Sequence, residues 1–76
     1  MIKKELIIEI VEEVIGKKLP DETINLFDFG LDSLGILKVI SHLEDRFEIE
    51  IDDDELTVDN LSSIEYIFAM VSKYEN

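Results

Sequence analysis

With 76 residues and no cysteine, the chain has room for one domain and excludes disulfides, thiolate metal sites and a cysteine nucleophile. A formal net charge of −12 argues against nucleic acid and anionic membrane as partners. It either attracts proteins with basic patches or only keeps a small protein soluble. No apolar run approaches the ~18 residues that cross a bilayer. The opening "MIKKELIIEIVEEVIG" interleaves Glu with its apolar residues, unlike a signal peptide, so the expectation is a soluble cytoplasmic protein.

The first predicted helix covers residues 2–15. Leu6, Ile7, Ile8, Ile10, Val11, Val14 and Ile15 fill one arc of its wheel, and Glu5, Glu9, Glu12 and Glu13 take the other side. Gly16 is a natural stop. Residues 17–32 form a connection longer than a structureless loop should be. Leu19, Ile24, Leu26, Phe27, Phe29 and Leu31 make it apolar, so it is expected to fold back and close one end of the core.

The second helix covers residues 33–47, with Ile36, Val39, Ile40, Leu43 and Phe47 on its core face. Leu34, Leu37 and Ser41 fall on the opposite side, among Lys38, Glu44, Asp45 and Glu48. Two leucines there either pack under the long loop or form a docking spot for partners. Residues 21–59 hold thirteen acids against only Lys38 and Arg46, so this helix lies in the acidic part of the chain.

"EIEIDDDEL" alternates, but a single strand would have no partner. A loop with a short helical turn at residues 53–56 is expected instead. "NLSSIEYIFAMVSKY" makes the last helix, with Ser62 and Glu65 at capping-box spacing. Ile64, Ile67, Phe68, Val71 and Tyr74 form its buried stripe, with Met70 at the edge. The expected fold is all-α: a small four-helix bundle with a long loop between the first two helices and a short third helix.

The residue that asks for a chemical explanation is Ser33, in "LFDFGLDSLGILKVI". A serine hydrolase needs a base beside its serine. The one histidine, His42, lies nine residues along the same helix, roughly 13 Å away at ~1.5 Å per residue, and on another side. G-x-S-x-G, a phosphate-binding Gly-rich loop and zinc-ligand spacing are absent. "DDDE" lacks the EF-hand arrangement and promises only weak, nonspecific divalent binding. Asp32 or Ser33 can cap the helix. Gly30 permits a backbone conformation that other residues resist. An anionic group on Ser33 would lie at the positive end of the helix dipole.

Leu26, Gly30, Asp32, Ser33 and Leu34 in the pattern L-x-x-x-G-x-D-S-L resemble the phosphopantetheine attachment motif of acyl carrier and peptidyl carrier proteins. The likeness runs through "HLEDRFEIEI" to "NLSSIEYI" and covers nearly the whole chain. It implies a single non-catalytic carrier domain over residues 1–76, with 4′-phosphopantetheine on Ser33. A separate Mg²⁺-dependent phosphopantetheinyl transferase would install the arm from coenzyme A. Acyl or aminoacyl groups would ride on it as thioesters, loaded by a ligase and passed to downstream synthase or transferase enzymes. Asp32 would help the transferase step, with Gly30 and Leu34 completing the site. Leu34, Leu37, Lys38, Ser41, Glu44, Asp45 and Glu48 would form the partner face, on a monomer. An interior partly open to a cargo chain would be lined by Ile10, Val14, Ile40, Leu43, Ile64 and Phe68.

Two positions depart from the fatty-acid form of the motif, which has acids where this chain has Gly35 and Lys38. Gly inside a helix costs roughly 1 kcal/mol against Ala, so Gly35 is expected to serve close approach of an arm or a partner. Lys38 would repel a basic partner patch. Both features favour a discrete carrier in a dedicated pathway over a general fatty-acid carrier. The alternative from another class is an unmodified acidic interaction domain that does not need Ser33.

Overall fold

In the computed structural model, which describes residues 2–75, the chain forms three α-helices: α1 (Lys4–Ile15), α2 (Ser33–Phe47) and α3 (Ile64–Ser72). The expected four-helix bundle is therefore corrected to three helices among the described residues. The third of the expected four is a lone 3₁₀ turn at Asp53–Glu55, none of whose residues is buried. Three successive acids offer no apolar stripe, and a single turn bears the cost of nucleation without the gain of propagation.

The helices form where apolar spacing meets a stop or a cap. α1 ends at Gly16, whose left-handed φ of +84° lets its N–H donate to the Glu12 carbonyl. It begins at Lys4 rather than residue 2. Ile2 is buried ahead of it, with its N–H donating to the Glu75 carboxylate at 2.9 Å. α2 keeps its expected bounds. α3 begins later than the capping-box spacing suggests. Ser62 is still held in the preceding turn, its hydroxyl donating to the Asp59 carbonyl, and Ser63 caps α3 by accepting from the Tyr66 N–H. Tyr74 lies beyond α3, half-buried, and its hydroxyl accepts from the Asp52 N–H.

α1 packs against both α2 and α3. Ile7 and Val11 meet Val39 and Leu43 of α2 and Ile64, Ile67, Met70 and Val71 of α3 in one core. Met70 belongs inside that core rather than at its edge. The long loop contributes Leu26 and Leu31 as fully packed members, with Leu19 and Phe27 against them. Glu12, on the wet side of α1 by its spacing, accepts from the Leu19 N–H at 2.8 Å and ties down the start of that loop.

The displaced pKa values belong to the scaffold. The Thr23 hydroxyl, and then its N–H, hold the Asp21 carboxyl below its ordinary value. The Glu55 carboxylate, at 2.9 Å, raises the Lys73 ammonium above its own.

Candidate functional site: the junction at Ser33

The loop reaches α2 through a tight local fold. The Asn25 carboxamide oxygen accepts from the N–H groups of Phe27 and Asp28. The Leu26 carbonyl accepts from Phe29 and Leu31. Gly30 follows at φ +122°, a conformation closed to residues with a side chain. The Lys17 ammonium covers the neighbouring Phe29 ring at 4.7 Å from its centroid. The chain then enters α2 with Asp32 extended (φ −114°, ψ −177°).

Asp32 is the cap. Its Oδ1 accepts from the Gly35 N–H at 2.7 Å, and its carbonyl accepts from Ile36. Ser33 is thereby released from capping. It is the first residue of α2, exposed, and its hydroxyl makes no hydrogen bond to any described residue. Replacing Asp32 with Ala is expected to destabilise the fold by about 1 kcal/mol, whereas Asp32→Asn keeps the cap and most of that stability. Thermal melts of the two variants check this. A transferase assay on the stable Asn variant then isolates what the charge does.

Gly35 is buried, and its close approach is to the chain itself. A Cβ there would lie 3.0 Å from Leu31 Cδ1, 3.2 Å from Asp32 Oδ1 and 3.4 Å from Val14 Cγ1. The cost of a glycine inside a helix pointed to close approach of an arm or a partner. The backbone shows that α1, the loop and α2 converge at this point.

Leu34 and Leu37 are 63% and 66% exposed, so neither is covered by the loop. Lys38, Ser41 and Asp45 are exposed with them. Glu44 is less free than its position on the wheel suggests, being half-buried with its carboxylate accepting from the Ile51 N–H at 3.0 Å. Glu48 is the C-cap at φ +55°, its N–H donating to the Glu44 carbonyl. His42 is exposed, with Glu13, Asp45 and Arg46 lining a shallow cleft beside it. Among the described residues, no group of His, Cys, Asp or Glu is placed to hold a metal ion.

The residues expected to line an open interior do not share a cleft. Ile40, Leu43 and Ile64 are packed as core, Phe68 packs half-buried against it, and Ile10, itself a core residue, also borders the cleft beside His42. Val14 opens instead to the outside, where it joins Ile15, Leu31, Leu34 and Lys38 around a cleft of about 260 Å³. Ile15 and Lys17 also reach the site, 3.6 and 3.8 Å from where a Cβ on Gly30 would stand. Their only sequence signal is their place at the end of α1, which the fold of the loop brings to Gly30.

The decisive comparison is with protein families: residues 5–65 match the family described as "Phosphopantetheine attachment site". The chain belongs to this family of phosphopantetheine-binding carriers. It is a non-catalytic carrier with 4′-phosphopantetheine as its cofactor. An acyl carrier protein of Buchnera aphidicola is 38% identical over 61 residues, spanning 80% of this chain and 76% of that one. An acyl carrier protein of Exiguobacterium sibiricum is 33% identical over 70 residues, spanning 84% and 86%. The carrier also superimposes, with a TM-score of 0.75 and 26% identity, on a chain in a Bradyrhizobium japonicum crystal structure. That structure is of a glycine:[carrier protein] ligase complexed with its cognate carrier protein and an analogue of glycyl adenylate. The alignment covers 92% of this chain and 91% of the other. No helix among the described residues is long and apolar enough to cross a membrane.

Proposed function

We propose that Ser33 is the attachment point and that this chain serves as a discrete, monomeric, single-domain carrier of acyl or aminoacyl groups in a dedicated cytoplasmic pathway. The observation that carries the reading is the division of labour at the junction. Asp32 caps the helix, and Ser33 is left exposed with a free hydroxyl. A covalent arm fits these residues, because no described residue competes for that hydroxyl and the first-turn N–H groups favour a negative charge beside it. In the transfer, Ser33 Oγ gives its proton to a base on the transferase or to water and forms the new bond to phosphorus, while the pyrophosphate linkage of coenzyme A breaks and adenosine 3′,5′-bisphosphate leaves. Once attached, the group supplies a terminal thiol that holds cargo as a thioester.

Asp32, Gly30 and Leu34 position that hydroxyl for a phosphopantetheinyl transferase. Leu34, Leu37 and Ser41 meet partner enzymes, and Asp45 and Glu48 supply acidic steering that acts mainly on encounter rate. Glu44 contributes through the α2 end that it anchors. The likeness to a carrier crystallised with a glycine-activating ligase supports a loading ligase as partner and an aminoacyl cargo. Gly35 and Lys38, where acids stand in the fatty-acid form of the motif, support a dedicated pathway. The names of the more identical relatives favour a second reading, a general acyl carrier.

Incubation with coenzyme A, Mg²⁺ and a broad-specificity transferase tests the attachment. The intact mass should rise by one phosphopantetheine arm, and no gain from a folded apo sample would defeat the reading. Leu37→Ala should lower kcat/KM of the pathway's loading ligase about tenfold while leaving the melting curve in place, since Leu37 is exposed and an interface residue that contributes on truncation costs more than about 1 kcal/mol. Unchanged kinetics would remove Leu37 from the partner face.

A further inference from the structure

The cleft beside the junction has no role in the function described so far. Val14 and Ile15 at the end of α1 form one wall, and Leu34 and Lys38 on α2 form the other, with Asp32 at the mouth. Gly35 lies between them, and its lack of a side chain lets the two helices and Leu31 come together at the base of the cleft: a Cβ would stand 3.0 Å from Leu31 Cδ1 and 3.4 Å from Val14 Cγ1. Gly30 borders the same cleft, with the Lys17 ammonium 3.8 Å from where its Cβ would be. Thus two of the chain's seven basic residues flank a small cleft in a protein of net charge −12.

We propose that this cleft, formed by the end of α1 and the start of α2, is a resting site for the chain's own phosphopantetheine arm. The inference rests on attachment at Ser33. That residue stands between two of the lining residues, Asp32 and Leu34, so the tether delivers the arm at the mouth. Two cations stand against one carboxylate there, and that carboxylate, Asp32, is already engaged with the Gly35 N–H at 2.7 Å. The arm begins with a phosphodiester and continues through a hydroxyl and two amides, with one branched apolar segment. Lys17 and Lys38 supply cationic donors at the rim, and Val14, Ile15 and Leu34 supply apolar contact. At about 260 Å³ the cleft lies just below the ~300 Å³ at which small-molecule pockets begin, large enough for the proximal arm and too small for a long cargo chain as well. Leu37 does not line it, so a docked arm leaves the centre of the partner face clear.

Amide NMR spectra of ¹⁵N-labelled apo protein and of the same sample after arm transfer test this, with intact mass recorded alongside. Val14 and Ile15 are eighteen or more residues from Ser33 in sequence. Shifts there, with others at Lys38 and Lys17, report occupancy of the cleft rather than the new bond. They should exceed the shifts anywhere on α3. Lys38→Glu, at an exposed position, should shrink the holo-minus-apo shifts at residues 14 and 15 by about 1.4- to fivefold, the range expected for losing one exposed charged contact. A full mass gain with shifts confined to residues 31–36, or shifts indifferent to Lys38→Glu, would overturn the resting site and leave the carrier function standing. No mass gain would overturn both.

Discussion

Ser33→Ala is expected to abolish arm transfer completely while leaving the fold untouched. The two halves of this expectation have separate causes. Transfer needs an oxygen nucleophile at that position, and alanine has none. The fold needs a cap at the start of α2, and Asp32 provides it through the 2.7 Å bond from the Gly35 N–H. The Ser33 hydroxyl bonds to no described residue and is exposed, so its removal leaves no polar group unpaired. The melting midpoint should therefore stay within about 4 °C of the parent. Intact mass and a thermal melt on the same two samples give the answer. A melt lowered as far as that of Asp32→Ala would show that Ser33 shares the capping role. Arm addition to the Ala variant would place the attachment elsewhere.

Much of this was legible in the sequence, for identifiable reasons. α2 kept its bounds because a cap residue stands at its start and a 3.6-residue apolar period runs from there to Phe47. The outward leucines were visible because Leu34 and Leu37 break the polar side of an otherwise regular wheel. The division between Asp32 and Ser33 was not visible, because both residue types cap helices and only backbone geometry distinguishes them. Ser62 misled for the same reason: its spacing to Glu65 suits a cap, but the turn that holds it ends one residue later. The supposed third helix failed because "DDDE" attracts a helical reading at the first turn without an apolar stripe to stabilise a second. The roles of Gly35, Val14 and Ile15 could not be read locally, because α1 meets α2 only after the long loop has folded. Glu44 looked like a free surface acid until its bond to the Ile51 N–H placed it in the scaffold.

That loop is where the second large effect is expected, from Leu26→Ala. Leu26 is fully buried although it belongs to no helix. Its N–H donates to the Ser62 carbonyl at 2.7 Å, and its own carbonyl accepts from Phe29 and Leu31. The residue thus joins the approach to α2 with the approach to α3, and its side chain packs in the core the helices share. Truncating a buried leucine costs about 2–5 kcal/mol, depending on how far the surroundings collapse. A single core of this size supplies about 3–5 kcal/mol in all. Leu26→Ala should therefore be largely unfolded or lower its melting midpoint by at least about 10 °C. Ile24→Ala, two residues earlier and only half-buried, should cost about 1 kcal/mol or less. Urea titrations followed by circular dichroism compare the two. If they were equally mild, the loop would be a passive connection. A severe loss confined to Leu26 would mean that the segment presenting Ser33 is held by the core itself, so that the helix start offered to every partner is as rigid as the helices behind it.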